Sequence, residues 1–480
     1  MKTTSVKTSY IFNLINTGSG LLFPLITFPY SSRILLTDGI GQYQFFEGII
    51  GYILLITSLG IPLYAVRELA MVRHDPLKRS KVATEILILH ALLTAIAYLI
   101  VFILAATVTK IKADIPLFLL QSASLLFSAI GVQWLYTAME DFKYITIRSI
   151  LIKVLATVAL FVFVKEKSDL LWYAAVNVGA NVGNNIFNFL RLRKHISLRE
   201  LNLQDLDIKR HIKPSLKLFT LNLIISIYIL LDTVMLGFIK DTNAVGLYTS
   251  ASKLTKMSIG VITALGTVLL PRFSNYLSTG RKEEFIELGN KAISFTAALA
   301  FPMAAGLIIL AHPIILVFSG ETYAPAATTL QIIAPITVFM GFGSLIGMQI
   351  LYPQGKENLV IGATLAGAAT NLILNLLLIP AYAQNGAATA SVTAELMVMT
   401  TALILGRKYL PFQFLSRQNL NYVIGTLLMG VAVYYMAGLV PHAWQKVLVG
   451  VPGGAIIYFG YLALCGDHFI KVVKKMIFNE

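Results

Sequence analysis

Apolar residues run along this chain in long unbroken blocks, with polar residues confined to short intervals between them. Fourteen blocks stand out: 9–29, 41–64, 84–108, 115–138, 143–164, 170–192, 214–238, 244–270, 290–317, 326–352, 358–380, 385–406, 420–440 and 446–465. Crossing the hydrocarbon core of a bilayer takes about 20 apolar residues in a helix, and each block has about that length. The blocks are continuous, whereas strands of a membrane barrel would alternate, so they predict helices. The first is too long for a secretion signal and lacks a small-residue cleavage site, which predicts a retained span. The expected fold is an all-α polytopic membrane protein with about 14 transmembrane helices.

Composition sharpens this. Of 480 residues, 57% are hydrophobic and 13% charged, and the mean hydropathy is +0.76. A soluble domain carries about 25% charged residues, so a water-soluble enzyme and a disordered or fibrous chain are both excluded. The lone Cys465 permits no intrachain disulfide. The net charge of +15 would suggest nucleic acid in a soluble protein; here its distribution reads as topology. Across the fourteen blocks, 28 Lys and Arg fall on the side of the termini, 7 on the other, and Lys153, Lys253 and Lys256 within spans. Basic loops stay cytoplasmic, so both termini are expected in the cytoplasm, with anionic lipid and not nucleic acid as the basic surface's partner.

The longest polar interval, 193–213, splits the spans six and eight and predicts an amphipathic interfacial helix. Two patterns recur across it. Gly41-Gln42-Tyr43 returns as Gly246-Leu247-Tyr248, an offset of 205 that also sets Arg67 on Arg272; Gly131-Val132-Gln133-Trp134-Leu135-Tyr136 returns as Gly347-Met348-Gln349-Ile350-Leu351-Tyr352, an offset of 216. This predicts two six-span repeats: an N-lobe over 1–192 and a C-lobe over 214–406, joined by the linker 193–213, with spans 13–14 and a basic cytoplasmic tail over 407–480. Six is even, so the repeats are parallel, an architecture that places transporter sites at the repeat interface.

Ionisable groups at membrane depth are costly and usually face a cavity or a partner. Well inside the blocks stand Glu47, Lys153, Asp232, Lys253, Lys256 and Glu395. Thr249, Ser252, Lys253 and Lys256 follow i, i+3, i+4, i+7 and so form one polar helical stripe. Ion pairs that fix helix packing account for Glu47, Asp232 and Glu395 as well as a transport role does. Two lysines a turn apart repel unless an anion or acids lie between them, which favours substrate contact. Asn177, Asn181, Asn184, Asn185, Asn371, Asn375, Gln133 and Gln349 read as hydrogen-bonding glue between helices. His90 and His312 stand alone. Asp205-Leu206-Asp207 spells the metal–nucleotide-sugar motif of glycosyltransferases without a domain to use it. No nucleotide loop, metal spacing or catalytic triad appears, so neither an enzyme nor a resident cofactor or metal is expected.

Residues 16–30 (NTGSGLLFPLITFPY) with Arg33, then Gly39 to Tyr43, Gly60 and Arg67-Glu68, resemble the bacterial polysaccharide and O-antigen flippases (Wzx type) of the multidrug/oligosaccharidyl-lipid/polysaccharide exporter superfamily. Asp232 through Gly237, Val245 to Tyr248 and Ala251-Ser252-Lys253 extend the resemblance. It implies two six-helix bundles in a V around a central cavity. It also implies export of undecaprenyl-diphosphate-linked oligosaccharide repeat units across the inner membrane by alternating access, coupled to H+ or Na+. Basic cavity residues would hold the pyrophosphate, a role that suits Lys253 and Lys256 with the hydroxyls of Ser252 and Thr249. Arg33 and Lys153 are the opposite-wall candidates, and Glu47, Asp232 and Glu395 the charge or coupling partners. Other expected partners are membrane lipids, the polysaccharide polymerase and the chain-length machinery.

A multidrug/cation antiporter of the same superfamily would need an acidic cavity, against which two mid-span lysines argue. A peptidoglycan-precursor flippase fits the span count equally well. A membrane polymerase or ligase would carry a large outer loop, and every outer loop here is short. The charge asymmetry predicts that a reporter fused to the C-terminus is active in the cytoplasm; activity confined to the periplasm would reject the span count.

Overall fold

The computed structural model describes residues 6–197, 202–264, 266–414 and 416–467, and every element among them is helical. The chain divides into two compact units, Met1–Phe238 and Ile239–Glu480. The first holds α1 (Val6–Ser58), α2 (Ile61–Met71), α3 (Pro76–Thr107), the single turn α4 (Thr109–Lys112), α5 (Ile115–Ile130), α6 (Gln133–Ala138), α7 (Phe142–Phe163), α8 (Leu170–Leu192) and nearly all of α9 (Lys209–Ile239). The second holds α10 (Thr242–Thr263), α11 (Gly266–Ser278), α12 (Lys282–Ile309), α13 (Ala311–Ser319), α14 (Ala326–Ile333), α15 (Ile336–Ser344), α16 (Glu357–Gly406), α17 (Arg417–Gly438) and α18 (Ala443–Leu464).

Each apolar block lies on one or more of these helices. Among the described residues nine segments are long and apolar enough to cross a membrane. Two of them span two blocks each, because α1 and α16 are broken inside, at Leu36 (φ 58°) and Ala383 (φ 48°). The blocks at 170–192 and 244–270 fall on more polar helices, the first with five asparagines and the second with two lysines.

The aspartates in the polar intervals set where helices begin. Asp75 accepts from the backbone N–H groups of Leu77 and Lys78, both at 3.1 Å, with Pro76 following. These bonds hold its carboxyl below the usual carboxylate range. Asp114, Asp141 and Asp241 cap α5, α7 and α10 in the same way, each supplying an acceptor to a helix start that has none of its own.

Within each unit the repeated sequence patterns mark a repeated device. In the first, the span begun in α1 breaks at Leu59 (φ 46°) and Gly60 (φ 69°) and resumes as α2. The span of α5 breaks at Val132 (φ 37°) and resumes as α6, which packs on α2. In the second unit, α10 gives way to α11 at the corresponding place, and α15 runs into a seven-residue π-helix, Leu345–Leu351, which packs on α11. The loosened backbone is held by polar side chains. The Gly131 carbonyl accepts from Asn188 Nδ2 at 2.6 Å, and the Asn188 carbonyl accepts from Tyr136 Oη at 2.6 Å. In the second unit Gln354 Nε2 donates to the carbonyls of Ile350 (3.0 Å) and Tyr409 (3.1 Å).

Two expectations differ from this picture. The interval 193–213 holds no continuous helix among its described residues: a turn at Arg193–His195, a 3-10 turn at Leu203–Asp205, then the start of α9. Its backbone is engaged elsewhere, Ser197 N–H with Ser80 Oγ (3.1 Å) and Asp207 N–H with Glu85 (2.8 Å), both on α3. Residues 198–201, and the tail 468–480 with Lys471, Lys474 and Lys475, lie outside the described residues. The first compact unit also reaches Phe238, past the expected lobe boundary at 192. The reason is α9, which lies close against α1 and the α1–α2 break. Small residues permit that approach: Gly48 against Val234, Gly51 against Leu230, Gly237 against Phe45.

At Gly60 the neighbour is backbone: an added Cβ would stand 2.7 Å from the Phe219 backbone nitrogen and 2.8 Å from the Ser215 carbonyl oxygen. Neither atom can swing aside, and the positive φ already disfavours other residues. Gly60→Ala should therefore cost about 3 kcal/mol and lower the melting temperature of the detergent-solubilised protein. A melting curve identical to that of the unsubstituted chain would refute the packing of α9 on the α1–α2 break.

Candidate functional site

The expected site residues divide between the units. In the first, Arg33 is exposed on α1 and its Nη1 donates to the Pro29 carbonyl at 2.5 Å. Lys153, half-buried on α7, donates to Ser19 Oγ at 2.8 Å and stands 6.0 Å from the centre of the Phe23 ring. Helices α1 and α7 thus bring Lys153 to the Asn16–Tyr30 stretch. Glu47 is exposed on α1 and accepts from Gln44 Nε2, while Asp232 is buried on α9.

In the second unit, α10 is an uninterrupted α-helix from Thr242 to Thr263, so Thr249, Ser252, Lys253 and Lys256 do share one stripe. Burial grades along it. Thr249 and Ser252 are buried, Lys253 is half-buried and Lys256 exposed. The Ser252 hydroxyl donates to the Thr249 carbonyl at 3.1 Å. Residues Ala244 to Ser252 form a continuous buried stretch, and Tyr248 meets Ser391 of α16 at 3.1 Å between hydroxyl oxygens. One turn on from that contact, on the two helices, stand Ser252 and the buried Glu395. Of the helix-glue asparagines, Asn371 and Asn375 are hydrogen-bonded to each other at 3.1 Å on α16.

Several functional-looking groups escaped the sequence reading. Glu85, at the edge of the third block, is fully buried and accepts from Arg210, from His211 Nε2 (2.8 Å) and from the Asp207 N–H. His211 Nδ1 in turn lies 2.7 Å from Tyr64 Oη on α2. Arg148 is buried on α7 and donates to Asn184 Oδ1 at 3.0 Å; Arg191, ending α8, pairs with Asp141 at 2.8 Å. Asn188 was passed over among the other asparagines of its helix. The charged ones sit within about five residues of a block boundary, where a charge reads as loop. Among the described residues no three His, Cys, Asp or Glu side chains gather as a metal site.

The family described as polysaccharide biosynthesis protein matches residues 6–277, more than half of the chain. The chain belongs to that family. A second family, MatE, matches residues 218–377. A relative from Escherichia coli (strain K12), named "Putative O-antigen transporter", is 22% identical over 403 residues, covering 84% of this chain and 97% of the relative. Among solved structures, one titled "Lipid II flippase MurJ, inward closed conformation" aligns with a TM-score of 0.75 at 17% identity, covering 95% of this chain and 98% of that one. An inward-facing multidrug-resistance MATE transporter aligns at 0.63 with 15% identity, covering 81% and 94%. At these identities the structures establish the fold, that of the superfamily expected from the sequence. With the family and the membrane helices, the protein is a multi-pass membrane transporter of the flippase kind.

The Glu85 cluster ties the linker and the start of α9 to α2 and α3 through one carboxylate with three donors. Removing it leaves His211 buried without that acceptor, which costs about 3 kcal/mol. Glu85→Ala should accordingly melt several degrees lower, and Tyr64→Phe, which deletes only the outer hydroxyl, should lose less. Equal melting temperatures for Glu85→Ala and the unsubstituted protein would show the cluster to be incidental.

Proposed function

We propose that this family member translocates polyprenyl-diphosphate-linked oligosaccharide repeat units across the bacterial inner membrane by alternating access, drawing on an H+ or Na+ gradient. The observation that carries the reading is the stripe on α10, where Lys253 and Lys256 follow the buried Thr249 and Ser252 on one unbroken helix. A diphosphate carries charge that hydrocarbon does not solvate, so its path needs cationic, wet contacts. Lysines held one turn apart supply charge-assisted hydrogen bonds to phosphate oxygens, and bringing an anion between them relieves their repulsion. The Thr249 hydroxyl is a further donor; the Ser252 hydroxyl would have to leave the Thr249 carbonyl to join it. Arg33 and Lys153 are secondary anion contacts, and the acids Glu47, Asp232 and Glu395 are the groups through which an ion gradient would act.

A peptidoglycan-precursor flippase would handle the same diphosphate, and the similarity to a lipid II flippase structure favours it as the second reading. A cation exporter of the multidrug type would gain nothing from two lysines on the stripe. The family's polysaccharide description and the relative's name favour the repeat-unit substrate. Such a pathway would place the protein beside a polysaccharide polymerase and chain-length machinery.

Complementation of a strain lacking its polysaccharide flippase tests the reading. Lys253→Gln and Lys256→Gln should each reduce surface polysaccharide about tenfold or more, the equivalent of about 1.4 kcal/mol, at unchanged membrane levels. Arg at either position should keep part of the function. Full complementation by a folded double Gln variant would reject the anion stripe. Complementation only of a strain lacking its peptidoglycan-precursor flippase would select the second reading.

A further inference from the structure

A separate cationic groove lies between α7 and α8, and none of the residues assigned above to transport lines it. It has a volume of about 430 Å³ and is lined by Asp141, Lys143, Tyr144, Arg148 and Arg191 on its polar side and by Ile147, Leu151, Ile152 and Phe187 on its apolar side. Tyr144, Ile147, Arg148 and Leu151 follow i, i+3, i+4, i+7, one face of α7. Phe187 and Arg191 stand one turn apart at the end of α8. Both guanidiniums converge on one ring: Arg191 Cζ lies 3.9 Å and Arg148 Cζ 5.2 Å from the centre of Tyr144.

Both arginines keep a buried donor atom that their partners do not satisfy. Arg148 is 6% exposed; its Nε donates to Asn184, while its Nη1 is buried with no hydrogen-bond partner among the described residues. Arg191 uses Nη2 on Asp141 and leaves its own Nε buried and unmatched. Buried polar groups are ordinarily paired, and a charged donor left over is expensive. Asp141 offsets only one of three positive charges, and its carboxylate also caps α7. Two guanidiniums with donors left over and an exposed lysine therefore line the groove beside a helix N-terminus, an arrangement that favours an anion. Its other wall is hydrocarbon: Ile147, Leu151 and Phe187 are 52%, 55% and 51% exposed. A small soluble anion would have no use for that wall.

We propose that this groove binds the phosphate head group of a lipid, the phosphate on Arg148, Arg191 and Lys143 and the chains along Ile147, Leu151 and Phe187. The inference stands on the groove and on the membrane setting, and it does not depend on the transported substrate. A phosphate head group can come from bulk anionic phospholipid or from a polyprenyl phosphate carrier, and the chemistry of the groove serves both.

The test uses the purified full-length protein, with native mass spectrometry for retained lipid and thermal melting for stability. Phosphatidylglycerol, undecaprenyl phosphate, phosphatidylcholine and inorganic phosphate are titrated separately. An anionic lipid is expected to be retained and to raise the melting temperature, with phosphatidylcholine retained at least tenfold more weakly. Preference for phosphatidylglycerol identifies a bulk-lipid site; preference for undecaprenyl phosphate identifies a carrier site. Arg148→Gln should weaken retention about tenfold. Lys143→Gln, at an exposed position that does not threaten folding, should weaken it several-fold and decides the matter if the Arg148 variant melts low without lipid. Equal retention of phosphatidylcholine, equal protection by inorganic phosphate, or undiminished retention in folded Lys143→Gln overturns the lipid site.

Discussion

Hydrocarbon offers no partner to a free backbone N–H or C=O, so a membrane helix can be interrupted only where other groups take over. That constraint organises this protein. The chain interrupts its helices repeatedly, at Leu36, Gly60, Val132, the π-helix 345–351 and Ala383, and polar side chains answer to two of those places. Asn188 holds the carbonyl freed at Gly131 and Gln354 holds Ile350. Gly60 gives the turn its left-handed residue and makes room for the backbone of α9. A loss of several kcal/mol for each unsatisfied group explains why these polar side chains are placed where they are.

The uninterrupted helices then acquire meaning by contrast. Helix α10 runs without a break through its buried Ala244–Ser252 stretch and carries both lysines on a single face. A rigid segment keeps the spacing of two charges fixed, which a kinked one would not. The chain thus combines jointed spans, α1–α2 and α5–α6 in the first unit and α10–α11 and α15 with its π-helix in the second, with a straight stretch that presents the charged stripe.

Much of this was legible in the sequence. Fourteen apolar blocks fell on helices, and the GxQxLY repeat proved to mark a helix irregularity in each unit. Hydropathy sees the sum over a turn or two, so it finds spans and misses their joints: Val132 and Ala383 are ordinary apolar letters, and nothing local announces a positive φ there. It also blurs span ends. Glu85, Arg148 and Arg191 each lie near a boundary where solvent is the default assumption, and only the packing of α3 on the linker and of α7 on α8 reveals the first two as buried and the third as half-buried and paired. The stripe Thr249, Ser252, Lys253, Lys256 was visible because a charge deep inside a block has no such default. The engagement of Ser252 with the Thr249 carbonyl was not, since a hydroxyl's local bond leaves no trace in composition.

The π-helix has one more consequence. An added residue in a helical turn is a phase shift of about 100°, which rotates everything downstream onto another face. The two copies of GxQxLY, one broken at Val132 and the other held in the π-helix, stand differently. In the first unit Gln133 is exposed and Tyr136 fully buried; in the second Gln349 is buried and Tyr352 is 48% exposed. The same Gln and Tyr letters sit in different environments, so the two places are not interchangeable. A substitution tolerated in one copy carries no licence for the other, and the change of offset from 205 to 216 bars position-by-position comparison of the halves even before the π-helix is reached.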